Sequence, residues 1–339
     1  MKMTLSYRYL EANLNILDKL GFPKAQALDF LGLDEASLES AVDRMDLDPF
    51  VDCINAAADF TSDPNIALRL GYKFRVGTFG QTGNIYGYCK NLEQVIPMND
   101  RYQKIAIDAG RVEYMQDPSG GHHMCFRPYY SDMEKYRPIT DIIMASYVTT
   151  YRWLTWGSGE KILSTHLPYP RPVDISAHHV VFQSDIKFES LHTCLEFSES
   201  AMLQDITTHD PERLARAQIK LDRILGLQMA LKAFETAVDA GIRGALQSGE
   251  VSSHIVAERM GLSWSALRSQ LKESGEGIRP RVERIRKAMF IEEYEAGRSF
   301  SQIAMSLAYN DQAAMNRAFR RWFDMTPSEW RKQNSREKL

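Results

Sequence analysis

Apolar residues at Leu10, Leu14, Leu17 and Leu20 recur at helical spacing, and Gly21-Phe22-Pro23 stops the run, so an amphipathic helix is predicted near the start of the chain. The pattern predicts further helices over Lys24–Leu31, from about Pro49 to Asp59 with Phe50, Ile54, Ala57 and Ala58 on one side, and over Asn65–Gly71. Strand signals follow at Arg111–Gln116 and His122–Arg127. The turn residues Pro118-Ser119-Gly120-Gly121 lie between them, which predicts a hairpin. A helix from Pro138 to about Trp156 and short strands near Lys161–His166 and Leu191–Phe197 complete an α+β domain ending near Ile206. Asp210-Pro211 then opens a helix, with Asp as N-cap and Pro in the first turn, that runs to about Leu225.

Beyond that helix the strand signals stop, and two segments share one plan. In the first, Ser253 caps a helix carrying Ile255, Val256 and Met260. Gly261-Leu262-Ser263 makes a tight turn, and Trp264–Glu273 forms a second helix with Leu267 and Leu271 inward. In the second, Ser299 or Ser301 caps a helix carrying Ile303, Ala304 and Leu307. Ala308-Tyr309-Asn310-Asp311 turns the chain, and Gln312–Phe323 follows with Met315, Phe319 and Trp322 inward. This is the plan of a helix-turn-helix, whose first helix buttresses a second that lies in the major groove. The outer face of the second unit holds Gln312, Ala313, Asn316, Arg317 and Arg320. Amide and guanidinium groups read A and G bidentately, and Ala meets the thymine methyl. The corresponding face of the first unit holds Ser265, Arg268, Ser269 and Lys272. Between the units, Arg281–Ala296 reads as one amphipathic connecting helix with Val282, Ile285, Met289 and Ile291 for burial. Its basic residues are Arg281, Arg284, Arg286 and Lys287. At 1.5 Å per residue it spans about 24 Å, which is compatible with recognition helices one DNA turn apart once their own projection is added.

The predicted organisation is therefore an α+β N-terminal domain (residues 1–210), a linker helix and connector (211–229), and an all-α C-terminal domain (230–335) with two helix-turn-helix units. A length of 339 residues suits two or three domains. Charge sharpens the division: from His254 to the end there are 16 Lys+Arg against 11 Asp+Glu, while the whole chain carries a net −3, so a basic end sits on an acidic body. No apolar run approaches the roughly 20 residues of a membrane span, and the first residues lack the apolar core of a signal peptide, so a cytoplasmic protein is expected. Cys53, Cys89, Cys125 and Cys194 form no C-x-x-C pair and read as reduced, mostly buried thiols.

Other candidate chemistry is sparse. The glycines of Phe79-Gly80-Gln81-Thr82-Gly83-Asn84-Ile85-Tyr86-Gly87-Tyr88 match neither a dinucleotide fingerprint nor a phosphate loop, and close helix packing accounts for them better. The pairs His122-His123 and His178-His179 make poor chelates, because adjacent residues on a strand face opposite ways and on a helix diverge by about 100°. No metal site, catalytic constellation or cofactor is expected. Tyr86, Tyr88, Phe126, Arg152, Trp153 and Trp156 are candidates for lining an effector pocket, with core packing as the competing role.

The run Ser301-Gln302-Ile303-Ala304-Met305-Ser306-Leu307-Ala308-Tyr309, with Arg317-Ala318-Phe319-Arg320-Arg321-Trp322-Phe323 and Thr326-Pro327-Ser328-Glu329-Trp330-Arg331, closely resembles the signature of AraC/XylS-family transcription regulators. Ala257, Met260-Gly261-Leu262-Ser263, Leu267 and Leu271 resemble the first unit of that family, and the likeness covers about the last 90 residues. It implies Ser265, Arg268, Ser269, Gln312, Ala313, Asn316 and Arg317 as groove-facing positions. Two residues depart from the family pattern. Ala308 stands where glycine is usual, tolerable if φ stays negative, and Ser269 stands where a basic residue is common. Residues 1–210 resemble the arabinose-binding-like effector domain of one subgroup. The stretches that carry this likeness are Ala67-Leu68-Arg69-Leu70-Gly71, Phe79-Gly80 to Gly87-Tyr88, Arg101-Tyr102, Pro168-Tyr169-Pro170, Val181-Phe182, Phe188 and Asp210-Pro211.

The expected function is a sequence-specific regulator, an activator, that binds double-stranded operator or promoter DNA, meets RNA polymerase and senses a small molecule. The alternatives are an enzyme with a DNA-binding tail, for which Cys125 beside Arg127 is the candidate nucleophile, and a ligand-free regulator controlled by a protein partner. Homodimerisation is a further expectation, through Leu214, Ile219 or Leu221, and Ile224 or Leu225.

Overall fold

The computed structural model describes residues 3–39, 44–79, 81–118, 120–157, 160–273, 277–309, 311–327 and 329–330. Gly80, Ser119, Asn310, Ser328 and Arg331, which enter the motifs above, lie outside the described residues. The chain divides into two compact units, Met1–Gln228 and Met229–Leu339. Among the described residues no helix is long and apolar enough to cross a membrane.

The first unit is mixed α and β. A small sheet of β1 (Thr4–Ser6), β2 (Arg44–Asp46) and β3 (Ile107–Asp108) has the order β2-β1-β3. A larger sheet is built from β4 (Gly110–Gln116), β5 (His122–Pro128), β6 (Ser164–His166), β7 (Asp185–Lys187) and β8 (Thr193–Phe197), in the order β4-β5-β8-β6-β7. All its neighbours are antiparallel except β6 and β7. The β4–β5 pair is the expected hairpin, with Val112 opposite Phe126. Because strand side chains alternate, Met124, Phe126, Leu195 and Phe197 all enter the core on one face of the sheet.

Helices cover that face. Tyr7–Lys19 starts where the Ser6 side chain accepts from the Tyr9 amide, and it buries Leu10, Leu14 and Leu17 of the expected stripe, while Leu20 caps its end and is partly buried. Arg137–Leu154 packs against Ile66–Lys73 so closely that a Cβ on Gly71 would lie 2.4 Å from the Ile142 carbonyl oxygen. Gly87, in the helix Gln81–Tyr88, meets the Trp153 ring in the same way, at 3.1 Å. The helix Leu92–Ala106 was not expected. It contains Pro97, a residue that removes an internal hydrogen bond, and it is started by Asn91, whose side chain accepts from the Gln94 amide.

Two expectations are corrected here. The helix opened by Pro211 does not end near Leu225 but runs to Gln247. Gly226 inside it costs only about 1 kcal/mol relative to Ala, and the Ala, Leu, Lys and Gln residues that follow favour the helix. The four cysteines are not all free thiols: Cys125 and Cys194 face each other on β5 and β8 and form a disulfide, while Cys53 and Cys89 are buried and free. The partners are 69 residues apart in sequence, and strand register brings them together. The disulfide also leaves Cys125 without the thiolate that a nucleophilic role requires.

The second unit is all helical among the described residues. Its core gathers Val238, Ile242, Leu246, Leu267, Leu271, Ile285, Met289, Phe290, Ile303, Leu307, Met315 and Phe319.

Candidate nucleic-acid interface and ligand cavity

In the second unit two helix pairs repeat one construction. Ser253–Arg259 is followed by Trp264–Glu273, and Phe300–Ser306 by Gln312–Phe323, with Ile278–Glu295 between the pairs. The first helix is capped by Ser252, one residue before the serine expected, through its acceptance from the Ile255 amide at 3.2 Å. Ser299 caps Phe300–Ser306 with a full capping box: its side chain accepts from the Gln302 amide, and the Gln302 side chain accepts from the Ser299 amide. Ser263 and Asp311 start the two second helices, accepting from the Ala266 and Ala314 amides.

The turns match bond for bond. In one, the Gly261 amide donates to Glu258 and the Leu262 amide to Ala257. In the other, the Ala308 amide donates to Met305 and the Tyr309 amide to Ala304. This closure needs a left-handed residue at its pivot, and both pivots have it: φ is +68° at Gly261 and +53° at Ala308. The condition under which Ala308 would be free of strain, a negative φ, is thus not met, because the closing hydrogen bonds set the backbone. A left-handed non-glycine residue costs roughly 1–2 kcal/mol, so Ala308→Gly is expected to stabilise the second unit by about 1 kcal/mol in urea unfolding. An unchanged or lower midpoint would refute the strain argument.

The connecting helix fixes the second pair. Arg286 lies 4.4 Å over the Tyr309 ring and donates to the Leu307 and Ala308 carbonyls, which pins the turn. Glu283 accepts from Arg321 and from the Trp322 indole, and Lys287 donates to the Trp322 carbonyl at 2.9 Å. Arg281 and Arg284 pair with Asp239. Arg281, Arg284, Arg286 and Lys287 are therefore engaged inside the unit.

The recognition-helix candidates are arranged differently. Met315, Ala318 and Phe319 are buried, and Trp322 is half-buried. Gln312, Ala313, Arg317 and Arg320 are exposed on the opposite side, with Asn316 half-buried beside them. In the first pair, Leu267 and Leu271 are buried, and Ser265, Arg268, Ser269 and Lys272 are exposed. Among the described residues, Arg268, Lys272, Arg317 and Arg320 take no ion-pair partner. Their charges are free for a polyanion.

The first unit holds a separate cavity, in which the centres of water-sized molecules have about 50 Å³ to move. Since one water needs roughly 10–15 Å³ on this measure, the space suits a small molecule. Its wall includes Leu92, Val95, Met124, Ile143, Leu154 and Phe197, with polar groups from Tyr9, Tyr86, Asn99, Gln103 and Tyr147, and among the described residues it holds no charged side chain. Tyr86 donates to Asn99 at 2.8 Å and Tyr147 to Gln103 at 3.1 Å. Burial pushes the Tyr86 and Tyr147 phenols well up, so both stay neutral.

Of the six candidates for an effector pocket, Tyr86 lies in this wall and the other five lie outside it. Phe126 is core, Tyr88 is half-buried, and Trp153 and Trp156 are exposed. Arg152 donates to the Val181 and Phe182 carbonyls. Sequence reading passed over Asn99, Gln103 and Tyr147, whose positions in amphipathic helices carry no mark of a cavity.

The histidine pairs separate as expected of neighbours. His178 is buried against Tyr169, Phe182 and Phe188, burial pushes its pKa down to about 4, and His179 is exposed. His122 bonds the Tyr114 hydroxyl. His123, however, meets ligand-type groups from other strands: His166 and Glu196 lie with it in one cluster. Expecting no metal-type constellation from adjacent pairs overlooked such partners, which only the sheet brings together. The helix of residues 211–247 turns Leu214 and Leu221 into its own unit and leaves Ile219 exposed. Arg101 and Tyr102 both hold its Asp222, at 3.0 and 2.7 Å.

Comparison with known proteins agrees with this architecture. A family model described as the arabinose-binding domain of AraC transcription regulator, N-terminal, matches residues 21–206, and a helix-turn-helix domain model matches residues 256–333. The HTH-type transcriptional regulator VirS of Mycobacterium tuberculosis, from two strains, is 34% identical over 90 residues, 26% of this chain and 26% of the relative. The match thus spans about a quarter of the length of these curated relatives. The crystal structure of transcriptional regulator CdpR from Pseudomonas aeruginosa aligns over 96% of this chain and 98% of its own, with 15% identity and a TM-score of 0.44. With an arabinose-binding-type unit preceding a helix-turn-helix unit, the chain belongs to the AraC family of DNA-binding transcription regulators.

Proposed function

We propose that this regulator is an activator whose DNA contacts respond to a small, uncharged effector held in the cavity of its first unit. The observation that carries the reading is the cavity itself: mostly apolar walls, a few convergent hydrogen-bonding groups, and among the described residues no charge to balance an ionic ligand. Tyr86, Asn99, Gln103 and Tyr147 are the groups we assign to orient the effector. Ser265, Arg268, Ser269, Lys272, Gln312, Ala313, Asn316, Arg317 and Arg320 are assigned to operator DNA, with the second helix pair reading bases and the first mainly meeting phosphates. Effector binding shifts the regulator toward the population that engages promoter DNA and RNA polymerase productively.

A thermal-shift screen of the full chain against neutral metabolites tests the sensing half. A true ligand raises the melting temperature by mass action, and Asn99→Leu should abolish that shift. The same ligand should alter retention of promoter DNA in a gel-shift assay. A ligand that stabilises wild type and Asn99→Leu equally would remove the cavity from the mechanism.

A further inference from the structure

We propose that His123, His166 and Glu196 form a binding site for a divalent transition-metal ion, zinc fitting best, on the face of the larger sheet that points away from the cavity. The placement follows from register. His123 on β5 stands directly opposite Glu196 on β8, and Glu196 stands opposite Ser164 on β6. His166, two residues on from Ser164, points to the same face because strand side chains repeat with period two. Three neighbouring strands thus supply one ligand atom each, all within 4.8 Å of one another. The His166 Nε2 to Glu196 carboxylate distance is 3.8 Å, and the two imidazoles meet edge to face with centroids 5.7 Å apart.

Two imidazoles and a carboxylate are a donor set that zinc accepts with tetrahedral geometry. Bonds near 2 Å hold ligand atoms roughly 3.3 Å apart, so the cluster closes on the ion through rotations of about 1 Å. The surroundings are those of a supported site. Ser164 donates to the Glu196 carboxylate and its oxygen lies 2.7 Å from His166 Nε2. Asp117 Oδ2 lies 2.9 Å from His123 Nε2. Asp117 belongs to the tight hairpin turn, where its other carboxylate oxygen accepts from the Gly121 amide. It is therefore placed to orient His123 as an outer partner.

Without an ion, the cluster has a partial substitute for the cation. The Lys187 ammonium lies 3.8 Å from the Glu196 carboxylate on a half-exposed side chain that can swing away. Lys187 therefore competes with the ion. The next residues on the same strands, Met124 and Phe197, face the other way and line the cavity. An ion at this site would fasten three strands, two of which form part of the cavity wall.

The test uses the full chain, freed of metal by chelator, with the Cys125–Cys194 disulfide oxidised so that no thiol contributes there. Calorimetric titration with zinc should show one ion per chain. His166→Ala and Glu196→Gln should each reduce binding to background, while His122→Ala, altered on the opposite face, should bind as wild type. Lys187→Met should bind several-fold more tightly. Should a ligand variant fail to fold, cobalt titration of wild type reads the site directly, since four-coordinate nitrogen and oxygen ligation gives visible bands far stronger than those of the aqua ion. Zinc binding that persists in His166→Ala and Glu196→Gln, no binding by wild type, or a cobalt spectrum of the aqua ion alone would overturn the proposal.

Discussion

Replacing Phe290 with Ala is expected to destabilise the second unit by about 3–5 kcal/mol. The ring is fully buried on the connecting helix Ile278–Glu295 and is the hub of an aromatic cluster. Its centroid lies 5.0 Å from Phe319, 5.4 Å from Phe300, 5.7 Å from Trp330 and 5.9 Å from Phe323. Truncation leaves a cavity whose walls come from three different helices, and it also removes edge-to-face contacts worth something beyond area alone. Domains hold only about 5–15 kcal/mol in total, so the loss should be visible as a large drop in the urea midpoint and as lost DNA retention. Met289→Leu, one residue earlier and nearly volume-conserving, should cost less than about 1.5 kcal/mol. A loss under 1 kcal/mol for Phe290→Ala would show that the cluster is not the keystone of this unit.

Arg317→Ala is expected to weaken operator binding by about 1–3 kcal/mol, roughly 5- to 150-fold, if the guanidinium grips a guanine bidentately. The side chain is exposed between Ala313 and Arg320 and has no ion-pair partner among the described residues, so removing it leaves the fold untouched. Arg268→Ala should cost less, because its neighbour Ser269 offers no second cation and the first helix pair is assigned mainly to phosphate. The two changes should also differ in kind. Loss of a base contact narrows the gap between operator and bulk DNA, whereas loss of a phosphate contact weakens both and lowers the salt dependence. Gel-shift titrations of both variants on operator and scrambled DNA measure this, and equal losses with unchanged specificity would remove the asymmetry.

Both predictions rest on the part of the chain that sequence described best, and even there it was incomplete. The second helices Trp264–Glu273 and Gln312–Phe323 have the bounds expected, because caps, turns and an apolar stripe are local signals. Phe290 was passed over in favour of Val282 and Ile291, which are only partly buried. A connecting helix packs on both sides, so no single stripe marks its core. The partners of the basic residues Arg281, Arg284, Arg286 and Lys287, which are Asp239, the turn carbonyls and Trp322, are likewise set by packing and not by the local pattern.

The sequence by itself determined the paired helix-turn-helix plan, the hairpin and the basic end on an acidic body, since each is written within a few turns of chain or in plain charge. Only the tertiary structure decided that Cys125 meets Cys194, that His123 meets His166 and Glu196, and that Asn99 and Gln103 face a cavity. It also decided the left-handed backbone at Ala308. The reason is physical. Strand register and helix packing bring together groups dozens of residues apart, and nothing in the local pattern around any one of them records which partner the fold will place opposite.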